Sequence, residues 1–302
     1  MEAIGTSWRK ETISRLRRNT DVNTASIAMG VVAGQQGLVN KELYSAMQRT
    51  GTLHLLSTSG MNVLLVAGAA VWFLRQFRIP FITIAIAILA ILVIYAAAAG
   101  MRPPVVRASW IVAIFALFVL IKQKPDAISV LFLVAAGLLF SDPLQIYDVG
   151  FQLSFVCVYS LLLFSLPAYR KISVWTKGLN LNRYAYWVVR STASALAVTL
   201  VASVGSAPLI AAHFGMTSLI SPIANLLTGV AIPFIYVGVT LSWLASFVSD
   251  SLSRGFDLMF TQYPCLWLDW INRTLAKPSF VAIEYNPIPG WVATAILLGI
   301  LF

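Results

Sequence analysis

Polar side chains gather at the entrance of a long apolar segment, in the stretch His54–Gly68. Its polar members include His54, Ser57, Ser59 and Asn62. A polar group in hydrocarbon is costly unless it finds a hydrogen-bond partner or water, so these side chains indicate a lined path through a membrane. If the segment is helical from its start, several of them fall near one face. The alternative is local: the hydroxyls bond the backbone, and Gly60 allows close packing.

Two arginines flank a Pro-Pro pair at the start of another apolar segment. Arg102 precedes the prolines and Arg107 follows them. A guanidinium group binds phosphate through two parallel hydrogen bonds and keeps its charge in poor solvent. These residues therefore predict a contact with a polyanion at one mouth of the path. Snorkelling of both side chains to lipid headgroups is the alternative interpretation.

Further polar groups stand inside apolar runs later in the chain. They are Gln152, Ser154, His213 and Asn225. In a membrane such groups either line a pore or hydrogen-bond to a neighbouring helix. The residues alone favour neither interpretation.

The composition is that of a polytopic membrane protein. Hydrophobic residues make up 59% of the 302 residues and charged ones only 11%, and the mean hydropathy is +0.83. A soluble domain carries about 25% charged residues. The net charge of +10 fits either the positive-inside bias or a polyanion path. With two Cys and two His in the chain, we expect no cofactor, metal site or disulfide framework.

The hydropathy pattern predicts an all-α membrane bundle of about seven transmembrane helices. The predicted spans are residues 54–74, 79–100, 105–121, 127–141, 151–169, 187–214 and 219–248. Prolines predict breaks in the last two spans, at Pro208, Pro222 and Pro233. The bundle also needs interfacial amphipathic helices, because some apolar stretches carry too many charges to span.

The chain divides by composition into two parts. Residues 1–53 are the most charged and predict an extramembrane or interfacial lead-in, and residues 54–302 form the transmembrane domain. Within that domain, residues 249–288 predict an interfacial amphipathic helix with an aromatic stripe, and residues 289–302 begin another apolar segment. Lys and Arg concentrate in turns on the side opposite the N-terminal segment, which predicts that this segment lies outside the cytoplasmic membrane.

Four blocks of sequence, in order, resemble the ComEC competence-protein family. They are residues 52–60 (TLHLLSTSG), 103–108 (PPVVRA), 142–155 (DPLQIYDVGFQLSF) and 207–227 (APL, HFG and ANLL). The resemblance covers about residues 25–250. The family usually has a second His after its Ser-Gly-Leu, and Met61-Asn62 stands there in this chain.

The resemblance implies a bacterial channel that admits single-stranded DNA across the cytoplasmic membrane during natural transformation. It further implies a cytoplasmic helicase or ATPase and an outer DNA-receptor protein as partners, besides the lipid bilayer. The family's nuclease domain has no counterpart here, so we expect a channel core without enzyme activity, with the nuclease on another chain or lost by truncation.

Two other functions stay open on the residues. A secondary transporter of a small anionic metabolite or lipid would use the same broken helices around a closed pocket at the midplane. An intramembrane protease would need Ser59 as nucleophile within reach of His213, but the usual glycine before the nucleophile is replaced by Ser57.

Overall fold

The structure, a computed structural model, describes residues 2–57, 60–98, 100–179 and 182–284. Within these ranges the chain is almost entirely helical, so the prediction of an all-α protein is confirmed. The helices of the first half are α1 (Glu2–Asn19), α2 (Val22–Ala33), α3 (Lys41–Thr50), α4 (Gly60–Gln76), α5 (Phe81–Ala98), α6 (Pro103–Leu120) and α7 (Ala127–Ser141). Those of the second half are α8 (Val149–Lys177), α9 (Arg183–Phe214), α10 (Ser221–Gly229), α11 (Ala231–Ala245), α12 (Asp250–Phe256) and α13 (Tyr263–Leu275).

Short elements connect these helices. Single 3₁₀ turns cover Gln36–Leu38, Leu53–Leu56, Pro143–Tyr147 and Ser279–Val281, and a π-helical turn, Asp257–Gln262, joins α12 to α13. Two strands, β1 (Met216–Ser218) and β2 (Ala282–Glu284), pair antiparallel with Thr217 opposite Ile283. The small sheet ties the end of α9 to the segment after α13.

Among the described residues, three helical stretches are long and apolar enough to cross a membrane. They are Val149–Lys177, Arg183–Phe214 and Ser221–Ala245. The other apolar helices are shorter, with 15 to 18 residues in α4 to α7. A span needs about 20 residues, so the predicted number of seven is not confirmed.

Of the three predicted proline breaks, the structure shows the one at Pro233. Helix α9 runs through Pro208 without interruption, whereas the next stretch is interrupted at Val230, one turn before Pro233, whose missing N–H removes a hydrogen bond of that turn. Pro222 stands in the first turn of α10, where the N–H that proline lacks would have no partner anyway. For the same reason α6 begins at Pro103 rather than after it.

The predicted basic loop between the fifth and sixth spans is also shorter than expected. Helix α8 continues through Pro167 to Lys177, and α9 begins at Arg183. The two helices form a long antiparallel hairpin, in which Gly205 of α9 faces Ser160 of α8. A Cβ built on Gly205 would lie 2.6 Å from the Cβ of Ser160. Glycine is therefore required for the close approach of these helices.

We expect Gly205→Ala to destabilise the protein by about 1–3 kcal/mol, because the added methyl group overlaps Ser160. Gly137→Ala in α7 is the matched control, since nothing lies within 4 Å of its Cβ position and alanine favours a helix. Thermal unfolding in detergent measures both. Ser160→Gly should restore part of the loss, and equal unfolding temperatures for the two alanine variants would contradict the close-packing argument.

The main core lies between the N-terminal helices and the last ones. Every residue of α2 from Thr24 to Ala33 is buried, and α2 packs against α11, α13 and Leu56. Asp21 caps the start of α2, and Gly34, with φ of 65°, ends it. The predicted lead-in of residues 1–53 thus shares a core with the last helices; its boundary as a domain stays a prediction.

The predicted interfacial helix packs along the bundle. From α12 through α13 it runs antiparallel to α10 and α11, because Ser253 contacts Ser242 while the indole N–H of Trp267 donates to the Leu227 carbonyl. One face of α13 is buried, and the predicted aromatic stripe is exposed on the other, with Tyr263, Trp267 and Trp270. Its position relative to a membrane interface stays a prediction.

Candidate functional site

The His54 stretch does not form the expected helical face. His54 lies in the 3₁₀ turn Leu53–Leu56, and Ser57 after it is extended, with its hydroxyl donating to the His54 carbonyl at 2.6 Å. Leu55 and Leu56 are buried in the main core, and this anchoring holds the turn in place of a helix. The local alternative, in which the hydroxyl bonds the backbone, therefore describes Ser57.

Two predicted members of this stretch lie outside what the structure describes. Ser59 falls between the described ranges, and the side chain of Asn62 on α4 is likewise not described. The predicted pairing of Ser59 with His213 in a protease therefore stays untested.

The start of α4 contacts the arginine block. A Cβ on Gly60 would lie 3.3 Å from the Cβ of Ala108, the residue after Arg107. Two of the four sequence blocks thus meet at this point, although they are more than forty residues apart in the chain.

Arg107 faces the bundle rather than lipid headgroups. It is 3% exposed, and one guanidinium nitrogen donates to the Gly150 carbonyl at 2.8 Å. The other terminal nitrogen lies 3.7 Å from a carboxylate oxygen of Asp148. Asp148 also accepts from the Phe151 N–H at 2.6 Å and so caps α8. Arg107 therefore fixes the start of α8 against α6 and joins the second block to the third.

Gln152 and His213 form a hydrogen-bonded pair. The carbonyl oxygen of the Gln152 side chain lies 3.0 Å from Nε2 of His213, and the Gln152 amide donates to the Ile146 carbonyl at 2.8 Å. The imidazole is exposed. This pair joins the third block to the fourth, while Ser154 lies half-buried on the same helix.

These contacts bring the four blocks to one end of the bundle, the α6–α8–α9 cluster of Arg107, Asp148, Gly150, Gln152 and His213. On one side of the cluster the buried guanidinium of Arg107 pairs with the half-exposed carboxylate of Asp148, and on the other lie the half-buried amide of Gln152 and the exposed imidazole of His213. The cluster can hold helix ends together and present hydrogen-bond donors and acceptors to a polar ligand.

Arg102 lies apart from this cluster. Its guanidinium donates to the carbonyl of Gly34, the residue that ends α2. Burial and, after it, the nearby charge of Arg9 lower the pKa of Arg102. The two predicted arginines thus have different surroundings: Arg107 is paired with a carboxylate, and Arg102 lies beside another cation.

Asn225 belongs to a separate group of polar side chains. Its amide donates to the hydroxyl of Ser221 at 3.0 Å, and that hydroxyl lies 3.4 Å from Ser203 on α9. Gly51 packs on Ser221 so closely that a Cβ there would lie 2.8 Å from it. The buried Oδ1 of Asn225 has no hydrogen-bond partner among the described residues. Ser221 therefore links α10 to α9, while Asn225 bonds within α10 and keeps an acceptor without a partner among the described residues.

Asp148, Ser203 and Ser221 are the parts of these clusters that the sequence analysis did not select. Asp148 could have been found as an N-cap before an apolar run, whereas its pairing with Arg107 is a long-range contact. In the described part of the chain, no three His, Cys, Asp or Glu side chains gather in a way that could hold a metal.

Comparison with known proteins finds a family match and several relatives of the chain. The family model described as "Competence protein" matches residues 31–302. The chain is 27% identical over 271 residues to "ComE operon protein 3" of Bacillus subtilis, covering 90% of this chain and 32% of that protein. It is 28% identical over 296 residues to "Competence protein ComA" of Neisseria gonorrhoeae, covering 93% and 39%.

A further relative is "Recombination protein 2" of Haemophilus influenzae, 30% identical over 167 residues, or 52% of this chain and 21% of that protein. The chain therefore spans well under half the length of these curated relatives. No solved structure matches the chain significantly.

Proposed function

Because the chain belongs to the competence protein family, as its four sequence blocks predicted, we propose that it carries single-stranded DNA across the cytoplasmic membrane during natural transformation. One observation supports this most: sequence blocks far apart in the chain converge in the α6–α8–α9 cluster. Convergence at a half-buried amide and an exposed imidazole is what a common polar path needs.

The chemistry of the ligand fits this arrangement. A strand of phosphates entering a slab of low dielectric needs cations and hydrogen-bond donors along its way. Arg102 supplies a cation, and Gln152 and His213 supply hydrogen bonds that do not depend on base identity. Binding of this kind is tolerant of sequence and weakens as salt rises.

We assign the path residues two kinds of role. Gln152 and His213 contact the strand, together with His54, Ser57, Ser59, Asn62, Arg102, Ser154 and Asn225. Arg107 acts indirectly, because it is buried and holds the start of α8 through Gly150 and Asp148.

The proposal includes a place in the cell. The chain crosses the cytoplasmic membrane several times with its N-terminal segment outside. An outer receptor protein delivers DNA, a cytoplasmic helicase or ATPase draws the strand, and a nuclease acts from another polypeptide or another part of the protein. The chain described here then serves as the channel core without catalysis of its own.

The test uses the bacterium that encodes the protein, with chromosomal variants. We expect His213→Ala and Gln152→Ala each to lower entry of labelled DNA into the nuclease-protected cytoplasmic fraction at least tenfold, at unchanged membrane levels. The double variant should lose little more, because the two side chains act as a pair. Ser141→Ala is the control, since its exposed hydroxyl donates only locally, to the Gly137 carbonyl.

Two outcomes would contradict the channel. If deletion of the gene leaves DNA entry unchanged, the protein has another function. If proteoliposomes carrying it accumulate a small organic anion but exclude a single-stranded oligonucleotide, the transporter alternative is correct.

A further inference from the structure

Helix α1 precedes residue 31, where the match to the family model begins. One face of α1 is fixed to the bundle. Thr12, Arg15 and Leu16 are buried, and a guanidinium nitrogen of Arg15 donates to the Val239 carbonyl of α11 at 3.3 Å. The direction in which the opposite face points is therefore set by the fold.

That opposite face is exposed and mainly cationic. Lys10, Ser14 and Arg17 follow one another at helical spacing, and all three are exposed. Arg18 lies beside them, and Glu11 at the edge is the one acidic residue of the exposed face. We call Lys10, Ser14, Arg17 and Arg18 the α1 basic face.

Next to the α1 basic face, α1 comes close to Arg102, the arginine that the sequence predicts at the mouth of the path. Arg9 of α1 approaches the turn before α6, where its guanidinium lies 3.1 Å from the Cβ position of Gly100. Gly100 has φ of 77°, a conformation that glycine adopts without strain. Arg102, two residues after Gly100, is repelled by the positive charge of Arg9. Two guanidinium groups thus converge from different elements, an arrangement that a phosphate stabilises.

We propose that the α1 basic face, with Arg9 and Arg102, forms a strip that binds the phosphates of single-stranded DNA at the entrance to the path. The inference rests on the proposed function. Lys10 and Arg17 are seven residues apart, about 10 Å along the helix, so their flexible side chains reach different phosphates of one strand. The strip reads no sequence, because it contacts phosphates alone.

Cross-linking tests the position of the strand. A photoreactive group is attached to cysteine in Ser14→Cys or Ser45→Cys, in the full chain with Cys157 and Cys265 replaced by alanine. The two sites are matched, because both serines are exposed and donate to the carbonyl three residues earlier. In native membranes, we expect a labelled single-stranded oligonucleotide to cross-link at position 14 at least tenfold more than at position 45. Equal labelling would overturn the proposal.

Salt dependence tests the phosphate contacts. The logarithm of the binding constant for a single strand falls with the logarithm of salt concentration by about 0.7 per phosphate contact. Lys10→Gln with Arg17→Gln should therefore reduce this slope by about 1.4. Lys122→Gln with Lys124→Gln removes the same charge from an exposed turn and should leave the slope unchanged.

The outcomes separate the two proposals. A wild-type protein that binds no single strand refutes the proposed function itself. A wild-type protein that binds, with the same slope in both double variants, refutes only the role of α1. A thermal melt of each variant confirms that the loss of Arg17, in the last turn of α1, has not unfolded the helix.

Discussion

Asp148→Ala is expected to destabilise the protein by about 3 kcal/mol or more, against about 1 kcal/mol for Asp126→Ala. Both residues are N-caps: Asp148 accepts from the Phe151 N–H at 2.6 Å and Asp126 from the Ser129 N–H at 2.8 Å. The difference is Arg107. Without Asp148, a guanidinium that is 3% exposed loses its carboxylate, and a buried charge without a partner is costly.

Chemical or thermal unfolding in detergent measures this difference. Asp148→Asn separates the two contributions, because asparagine keeps the cap and removes the charge. Adding Arg107→Met to Asp148→Ala should recover part of the lost free energy of unfolding, since it removes the guanidinium that has lost its carboxylate. The recovery is partial because the Gly150 carbonyl then lacks its donor. If Asp148→Ala and Asp126→Ala lose the same free energy, the ion pair contributes nothing beyond the cap.

Local signals in the sequence predicted elements well where they are complete. The fourth predicted span, residues 127–141, coincides with α7 (Ala127–Ser141). Asp126 caps its start, and Asp142-Pro143 follows its end. Residues close to the helix in sequence therefore indicate both of its boundaries. The grouping of the four blocks into one family was predictable in the same way, because it needs only residue types and order.

Long-range packing decided what the sequence did not predict. The turn at His54 departs from a helix because Leu55 and Leu56 are drawn into a core that α2 and α11 complete. The partners of Arg107 and His213 come from α8, 41 and 61 residues away. Helix α2 is apolar but only 12 residues long, and it follows a charged helix, so its sequence predicted neither a span nor the buried centre.

An ion pair that is buried on both sides, unlike that of Arg107 with the half-exposed Asp148, predicts a large effect in another part of the core. Arg15 and Asp257 are 5% and 0% exposed, with Nε and Oδ2 4.0 Å apart. Asn19 donates to the same carboxylate oxygen at 2.7 Å. Asp257 begins the π-helical turn, which packs on Gly238 of α11 so closely that a Cβ there would lie 2.7 Å from the Phe260 carbonyl carbon. The surroundings are therefore too tight for either charge to move out to water.

We expect Arg15→Met alone to cost about 3–5 kcal/mol of stability, because it leaves the Asp257 carboxylate buried without its cation. The double variant Arg15→Met with Asp257→Asn should recover most of that loss, since uncharged side chains of similar volume replace both charges and an amide oxygen can still accept from Asn19. Unfolding of the single and double variants in detergent gives the coupling free energy of the pair.

The exposed pair Arg273–Asp269 is the matched control, and distance and burial make opposite predictions for it. Its nitrogen and oxygen are only 2.7 Å apart, but the two side chains are 37% and 29% exposed. Asp269→Ala should cost no more than about 1 kcal/mol, because Arg273 keeps its ion pair with Glu42 at 2.8 Å and water replaces the lost carboxylate. If the 2.7 Å pair proves the more costly to break, distance outweighs burial in this fold, and the stabilising role assigned to the core pair of α1 and the π-helical turn is wrong. If the 4.0 Å pair of Arg15 and Asp257 costs more to break, a buried ion pair that water cannot reach holds α1 to the bundle. The exposed basic face of α1 requires such a rigid attachment.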